Sequence, residues 1–193
     1  LGAEVTQVEK GERVLAREDE EVSDLARAAL EEAGVTVLTG HEAVRFEDGA
    51  LIAQSPHEGM ARIEYDAVVV AVGRKARLTG FGLEELGIDT EATVTTDEFL
   101  ATKFPNIYAA GDVAGPFQYT HAASHQAWYA SVNALFGQFW RFKADYRVMP
   151  AVTFLDPEFA RVGLNESEAR AQGVEYEVTR YAIDDLDRAI AES

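Results

Sequence analysis

Pro105-Asn106-Ile107-Tyr108-Ala109-Ala110-Gly111-Asp112 is the stretch on which the fold turns. An apolar run, Ile107 to Ala110, stops at a glycine followed by a carboxylate. Such a run reads as a buried strand. Gly111-Asp112 then sets an acid at the strand's carboxyl end, where ligands bind in open α/β sheets. The glycine lets another backbone or a ligand approach closely. An aspartate in a plain strand-to-loop turn accounts for the same residues equally well. Upstream, Ala67-Val68-Val69-Val70-Ala71-Val72 lies between Asp66 and Gly73. A continuous apolar run of this kind is expected of a strand buried on both faces in a parallel sheet. Downstream, Gly115-Pro116 leads to a helix expected from about His121 to Phe136, closed by Gly137.

Further outward, Val5 to Val8 is a short β-prone run ending at Glu9, with a turn at Lys10-Gly11. Val22, Leu25, Ala26, Ala29, Leu30 and Ala33 recur at helical spacing, and Gly34 takes the position after the helix. Val35 to Leu38 follows as a strand. Residues 41–66 read as a meander: a strand from Ala43 to Phe46, a tight turn at Glu47-Asp48-Gly49, a strand from Leu51 to Ala53, and a loop from Ser55 to Gly59. Residues 73–105 read as mostly irregular, and 139–143 as a mixed aromatic and basic connector. Val152 to Phe154 and Ala160 to Val162 are strand candidates around Asp156-Pro157. Asn165 and Glu168 have capping-box spacing, with Asn in place of the usual Ser or Thr. That helix ends at Gly173, and Tyr176 to Tyr181 alternates like a strand.

The 193 residues carry 17 Lys and Arg against 34 Asp and Glu, a formal charge of −17. A nucleic-acid surface needs a basic stripe, and an anionic membrane attracts basic segments; neither fits this balance. With 47% hydrophobic residues the chain can bury a core. There is no cysteine, so these residues form no disulfide, no zinc-thiolate site and no reactive thiol. No run is long and apolar enough to span a bilayer, and no signal-peptide pattern opens the chain. The expected location is cytoplasmic. Both ends, Leu1-Gly2-Ala3 and Ala191-Glu192-Ser193, read as cuts through a longer chain.

Glu9 is the first candidate for chemistry. An acid just past a parallel strand can accept hydrogen bonds from both hydroxyls of an adenosine ribose, and it repels a 2′-phosphate. Local sequence alone favours a solvated glutamate at a strand end. His121 and His125 share a helix face, but no glutamate follows the first and no further ligand stands out, so no metal site is expected. The helix start at Thr120-His121 offers free N–H groups to an anion or a carbonyl oxygen. Gly80 to Gly87 lacks the third glycine and the preceding strand of a dinucleotide loop. Glu18 to Glu21 reads as a solvated, dipole-compatible helix start.

Ala71-Val72-Gly73-Arg74, Pro105 to Asp112, Thr120-His121-Ala122, Pro150 to Phe154, Asp156-Pro157-Glu158 and Val162 to Ala169 occur in an order that resembles the flavoprotein pyridine nucleotide-disulfide oxidoreductases. The likeness runs nearly the whole chain, to a family that includes dihydrolipoamide dehydrogenase, and is nearest to mercuric-reductase-like members. It implies an α/β fold: incomplete Rossmann-like NAD- and FAD-binding domains, then the start of an α+β dimerisation domain. Residues 1–72 would be the later part of the NAD domain, 73–145 the returning part of the FAD domain, and 146–193 the start of the interface domain of a homodimer. The implied cofactors are FAD and NAD(P)H, with NADH favoured by Glu9. Glu9 would hold the adenine ribose and Gly73 would lie near the nicotinamide. Gly111-Asp112 would bond the flavin ribityl chain. Thr120, His121 and Ala122 would face the flavin O2 edge. Lys75-Ala76 departs from the Pro-Asn usual in the family.

The family's FAD pyrophosphate loop, cysteine pair and first NAD glycine loop would precede residue 1, and its His-Glu acid/base pair would follow residue 193. No catalytic residue is therefore expected here. The implied function is that of a piece of an oxidoreductase that passes electrons from NAD(P)H through FAD to a disulfide or metal-ion acceptor. The alternative is a stand-alone, non-catalytic nucleotide-binding or dimerisation module. Either way, Val68–Val72 and Ile107–Ala110 would lose strand neighbours, and marginal stability or aggregation is expected of the chain by itself.

Overall fold

The computed structural model of the protein describes residues 2–182 and 186–192. Two compact units form, one from Leu1–Glu64 with Ala151–Ser193 and the other from Tyr65–Pro150.

The first unit opens with a βαβ crossover. Strand β1 (Val5–Val8) pairs in parallel with β2 (Val35–Leu38), Val5 opposite Val35 and Val8 opposite Leu38. A parallel pair cannot be joined by a tight turn, and helix α1 (Glu20–Glu32) makes the crossover. Glu20 and Glu21 lie in its first turn, where the helix dipole favours acids. Gly34 ends it at φ +87°, a conformation that costs glycine little. α1 buries Ser23 and Ala26. Ala26 packs with Val14 and Val37 in an apolar nucleus, joined by Leu15, Leu30, Val35, Leu155 and Phe159.

The meander follows as β3 (Glu42–Glu47), β4 (Ala50–Ser55) and β5 (Gly59–Glu64), antiparallel and in that order. Asp48 and Gly49 have φ +46° and +71°, the left-handed pair that a two-residue hairpin of matching twist requires. Central β4 buries Ala50, Ile52, Ala53 and Ser55, while β3 is exposed throughout. The third strand, β5, was not expected; Gly59 begins it rather than closing a loop.

Later in the same unit, β6 (Pro150–Thr153) and β7 (Phe159–Val162) form a two-stranded sheet. Helix α3 (Glu166–Gln172) starts at the expected capping box: Asn165 accepts from the Glu168 N–H, and Glu168 accepts from the Asn165 N–H. Gly173 closes it at φ +68°. A short α4 spans Asp187–Glu192. The junction between α1 and α3 is polar. Asp19 accepts from the N–H groups of Glu166 and Ser167 at 2.9 and 3.0 Å and from the Ser167 hydroxyl at 2.7 Å. Arg161 is ion-paired with Glu18 and Glu168, each at 2.9 Å.

The second unit has little regular structure. Its elements are a 3-10 turn at Gly111–Val113 and helix α2 (Thr120–Phe136). Residues before them are tied by single bridges, Thr90 to Val94 and Ala101 to Tyr108. Backbone bonds such as Val94 N–H to Val113 O (2.7 Å) and Thr102 N–H to Ile107 O (2.9 Å) support them. Ile88, Val94, Leu100 and Ala101 are buried.

Three strand expectations are corrected here. Ala67–Val72 is not a strand, and Val69, Val70 and Val72 are 92%, 67% and 88% exposed. A strand is a relation between two backbones, and among the described residues none lies alongside this run to accept its hydrogen bonds. Ile107–Ala110 is half-buried and makes one bridge, not a ladder. Tyr176–Tyr181 forms no strand. Among the described residues no helix is long and apolar enough to cross a membrane.

Candidate cofactor-binding site

The Gly111–Val113 turn is built on a backbone conformation that favours glycine. Gly111 has φ +81°, and a Cβ there would lie 3.3 Å from the Cβ of Ala123 on α2. The absent side chain thus lets the turn lie directly on the helix. Within the turn, the Ala114 N–H donates to Gly111 O at 2.9 Å. From α2, the fully buried Gln126 side chain reaches back. Its oxygen accepts from the Gly111 N–H at 2.5 Å, and its amide donates to Gly115 O at 2.5 Å and to the Tyr146 hydroxyl at 3.0 Å. Burial raises the Tyr146 pKa, against the lowering effect of the Gln126 bond, so the phenol stays neutral.

Asp112 stands on this base with its side chain 45% exposed, and Arg74 is its ion-pair partner at 3.8 Å. That separation leaves the carboxylate oxygens able to accept hydroxyl donors. Arg74 follows Gly73, which is exposed at φ +119° with nothing within 4 Å of a would-be Cβ.

The start of α2 lies beside the same turn. Tyr119 is its N-cap and makes no side-chain cap bond, and the first turn contains no acid. The Ala123 N–H makes the first intrahelical bond, to Tyr119 O at 2.9 Å. The N–H groups of Thr120, His121 and Ala122 therefore have no intrahelical acceptor and present positive potential. Thr120 and His121 are exposed and Ala122 is buried. His121 and His125 each direct Nε2 at a carbonyl, Pro150 O and Asp145 O, both at 2.8 Å. A carbonyl only accepts, so Nε2 carries the hydrogen in both rings. Asp145 itself is held down to about 2 by its hydrogen bond to Arg147.

Glu9 belongs to the first unit. It follows β1, its N–H donates to Leu38 O at 2.9 Å, and its side-chain Oε1 accepts from the Gly11 N–H at 2.6 Å. The carboxylate is thus fixed at the carboxyl end of a parallel strand, with Oε2 left for other donors.

Gly111, Asp112, Thr120, His121 and Ala122 therefore share one neighbourhood of the second unit, with Gly73 one residue from Asp112's ion-pair partner. These groups suit a flavin. A half-exposed carboxylate accepts polyol hydroxyls, free helix N–H groups meet a carbonyl edge, and the glycine turn admits close approach. Sequence reasoning missed Gln126 and Asn133. The fully buried Asn133 donates to Phe99 O and Phe142 O and accepts from the Phe142 N–H, at 2.8 to 3.0 Å. The signal was present: two amide side chains seven residues apart, on the helical stripe that Ala122 begins.

Comparison with known proteins agrees with this architecture. Residues 1–127 match the model of the pyridine nucleotide-disulphide oxidoreductase family, and residues 149–193 match the model of that family's dimerisation domain. A dihydrolipoyl dehydrogenase from Thermus scotoductus is 36% identical over 98% of this chain and 42% of its own length. A mercuric reductase from Bacillus cereus is 33% identical over 98% of the chain and 31% of its own length. A Cu(II) complex of the HOCl-induced flavoprotein disulfide reductase RclA from Escherichia coli superposes with a TM-score of 0.81 at 27% identity, over 99% of this chain and 44% of that one. The chain thus spans less than half the length of these relatives. The match over residues 1–127, with the dimerisation-domain match over 149–193 behind it, makes this mixed α/β chain a member of the pyridine nucleotide-disulphide oxidoreductase family.

Proposed function

We propose that the whole protein to which this chain belongs passes electrons from NAD(P)H through FAD to a disulfide or metal-ion acceptor. The observation that carries this reading is the Gly111–Asp112 turn laid against an α2 whose first-turn N–H groups lack intrahelical acceptors. FAD, when bound, supplies the two-electron carrier between nicotinamide and acceptor. The residues of this chain bind and orient. Asp112 accepts ribityl hydroxyls, the Thr120, His121 and Ala122 N–H groups favour negative charge at the flavin O2 edge, and Gly73 keeps the nicotinamide end uncrowded. Glu9, pinned by the Gly11 N–H, accepts the adenosine ribose hydroxyls and disfavours a 2′-phosphate, so NADH is the preferred donor.

In this reading residues 1–72, 73–145 and 146–193 are parts of the NAD, FAD and dimerisation domains, the protein is a cytoplasmic homodimer, and the chain by itself is inactive. The acceptor classes follow from relatives named as a disulfide reductase and a mercuric reductase.

Anaerobic titration of the whole protein with NADH tests the reading. Bleaching of a flavin absorbance band by one equivalent is expected, and a preparation that carries no flavin and binds none overturns it. For the nicotinamide preference, Glu9→Ala is expected to lose about tenfold in kcat/KM for NADH, the worth of one charge-assisted hydrogen bond, with little change for NADPH. Equal losses for both nucleotides would assign Glu9 a structural role only.

A further inference from the structure

We infer that Gln126 is the positioning residue of the flavin-holding turn. Through both ends of its side-chain amide it holds Gly111–Gly115, and with it the Asp112 carboxylate, in the geometry that receives a polyol chain. The inference rests on the flavin reading given above.

The turn's own hydrogen bonds converge on one atom. The N–H groups of Ala114 and Gly115 both donate to Gly111 O, at 2.9 and 3.3 Å. That pattern leaves the Gly111 N–H at the entrance and Gly115 O at the exit without partners inside the turn, and Gly111 and Gly115 are both buried. Gln126 satisfies both, one with its oxygen and one with its nitrogen, each at 2.5 Å. Its second amide hydrogen meets the Tyr146 hydroxyl at 3.0 Å, so a third group fixes the amide plane. Tyr146 is held in turn by ring contacts with Phe117 and His125, at 5.6 and 6.1 Å between centroids. The bracket therefore grips the two ends of the segment and leaves Asp112, inside it, half-exposed. A rigid base under an accessible carboxylate is what precise binding requires.

The bracket depends on one acceptor and one donor at fixed places. Glutamate has the same shape, and protonation decides whether it can take the role. As the acid, its carbonyl accepts from the Gly111 N–H and its O–H donates to Gly115 O. As the carboxylate, it sets a negative oxygen against a carbonyl.

The test uses the whole protein with FAD as the probe. It compares wild type, Gln126→Glu and Gln126→Leu, and reads FAD dissociation by flavin fluorescence together with amide exchange of residues 111–115. For Gln126→Glu we expect near-native FAD affinity at about pH 5, and a loss of about tenfold or more at about pH 8, while wild type changes little between them. Gln126→Leu should lose about tenfold at both. In both cases faster exchange should be confined to 111–115, with α1 unaffected. A Gln126→Leu protein that matches wild type in FAD affinity and in exchange at 111–115 overturns the inference, because only side-chain volume would then matter. Exchange that rises across the whole chain also overturns it, since the residue would be supporting the fold at large. If wild type itself binds no FAD, the flavin reading fails. Local exchange at 111–115 then reports separately on whether the bracket exists.

Discussion

The two units solve the burial of backbone in different ways. In the first, β1–β2 and the β3–β5 meander pair backbone with backbone in ladders, and the nucleus beside them is apolar: Val14, Ala26 and Val37. In the second, residues 65–110 contain no ladder, and the most deeply buried large side chains are the amides of Gln126 and Asn133. The difference follows from hydrogen-bond accounting. Buried backbone groups must be paired. Where strands supply the pairing, core side chains are free to be apolar. Where the chain is irregular, side-chain amides on the one long helix complete it.

The strongest way to break this comparison is Asn133→Leu. It removes partners from Phe99 O, Phe142 O and the Phe142 N–H together. A loss of about 3 kcal/mol is expected, as buried groups left unpaired cost more than a hydrogen bond contributes. Urea unfolding monitored by Trp128 and Trp140 fluorescence checks it, and a neutral result would mean that the second unit is not held by its amides. Val37→Ala is the counterpart in the first unit. Two buried methyl groups and a small cavity amount to about 2 kcal/mol, read from far-UV circular dichroism of the same titration.

Asp19→Ala is expected to cost about 1 kcal/mol, comparable to the loss of a helix cap, and it sharpens the comparison by giving the first unit a polar, pH-dependent element. Burial raises the Asp19 pKa, but hydrogen bonds from Ser167 and from the Glu166 and Ser167 N–H groups, with the nearby Arg170, outweigh it and hold the carboxyl below 3.8. A depressed folded value means that the contribution is full above the unfolded value near 3.8 and disappears as pH falls through the lower folded one. The difference in stability between wild type and variant should therefore be constant at neutral pH and shrink only in that acid window. A difference that shrank between neutral and mildly acid pH would point to another group. The smallest effect is expected from Val69→Ser. At 92% exposure it should change stability by less than about 0.5 kcal/mol while slowing aggregation. A large loss of stability would mean that this run is covered in solution.

Much of the fold was legible because it is local. The helical spacing of Val22 to Ala33, the Asp48-Gly49 hairpin and the Asn165–Glu168 box each place donor, acceptor or apolar face within a few residues of one another. Gly111-Asp112 and the helix start at Thr120-His121 stand out in the local sequence, Ala122 joins them only through the family resemblance, and the structure sets the turn beside the helix at Gly111 and Ala123. At Glu9 the local sequence favours a solvated glutamate and only the family resemblance points to a ribose, and the attachment of its carboxylate to the Gly11 N–H is a contact of the fold.

By itself the sequence determined the helices α1, α2 and α3, the hairpin turn and the capping box, because propensity and hydrogen bonds of short reach set them. Tertiary structure alone decided the rest. It left Ala67–Val72 and Tyr176–Tyr181 without ladders, gave the meander its third strand, set Asp19 on residues 147 and 148 positions away, and brought Gln126 onto both ends of the Gly111–Gly115 segment. Each of these is a pairing between groups that the local pattern does not name. A strand, a buried amide or a cross-chain carboxylate acquires its structure from the partner that the fold delivers.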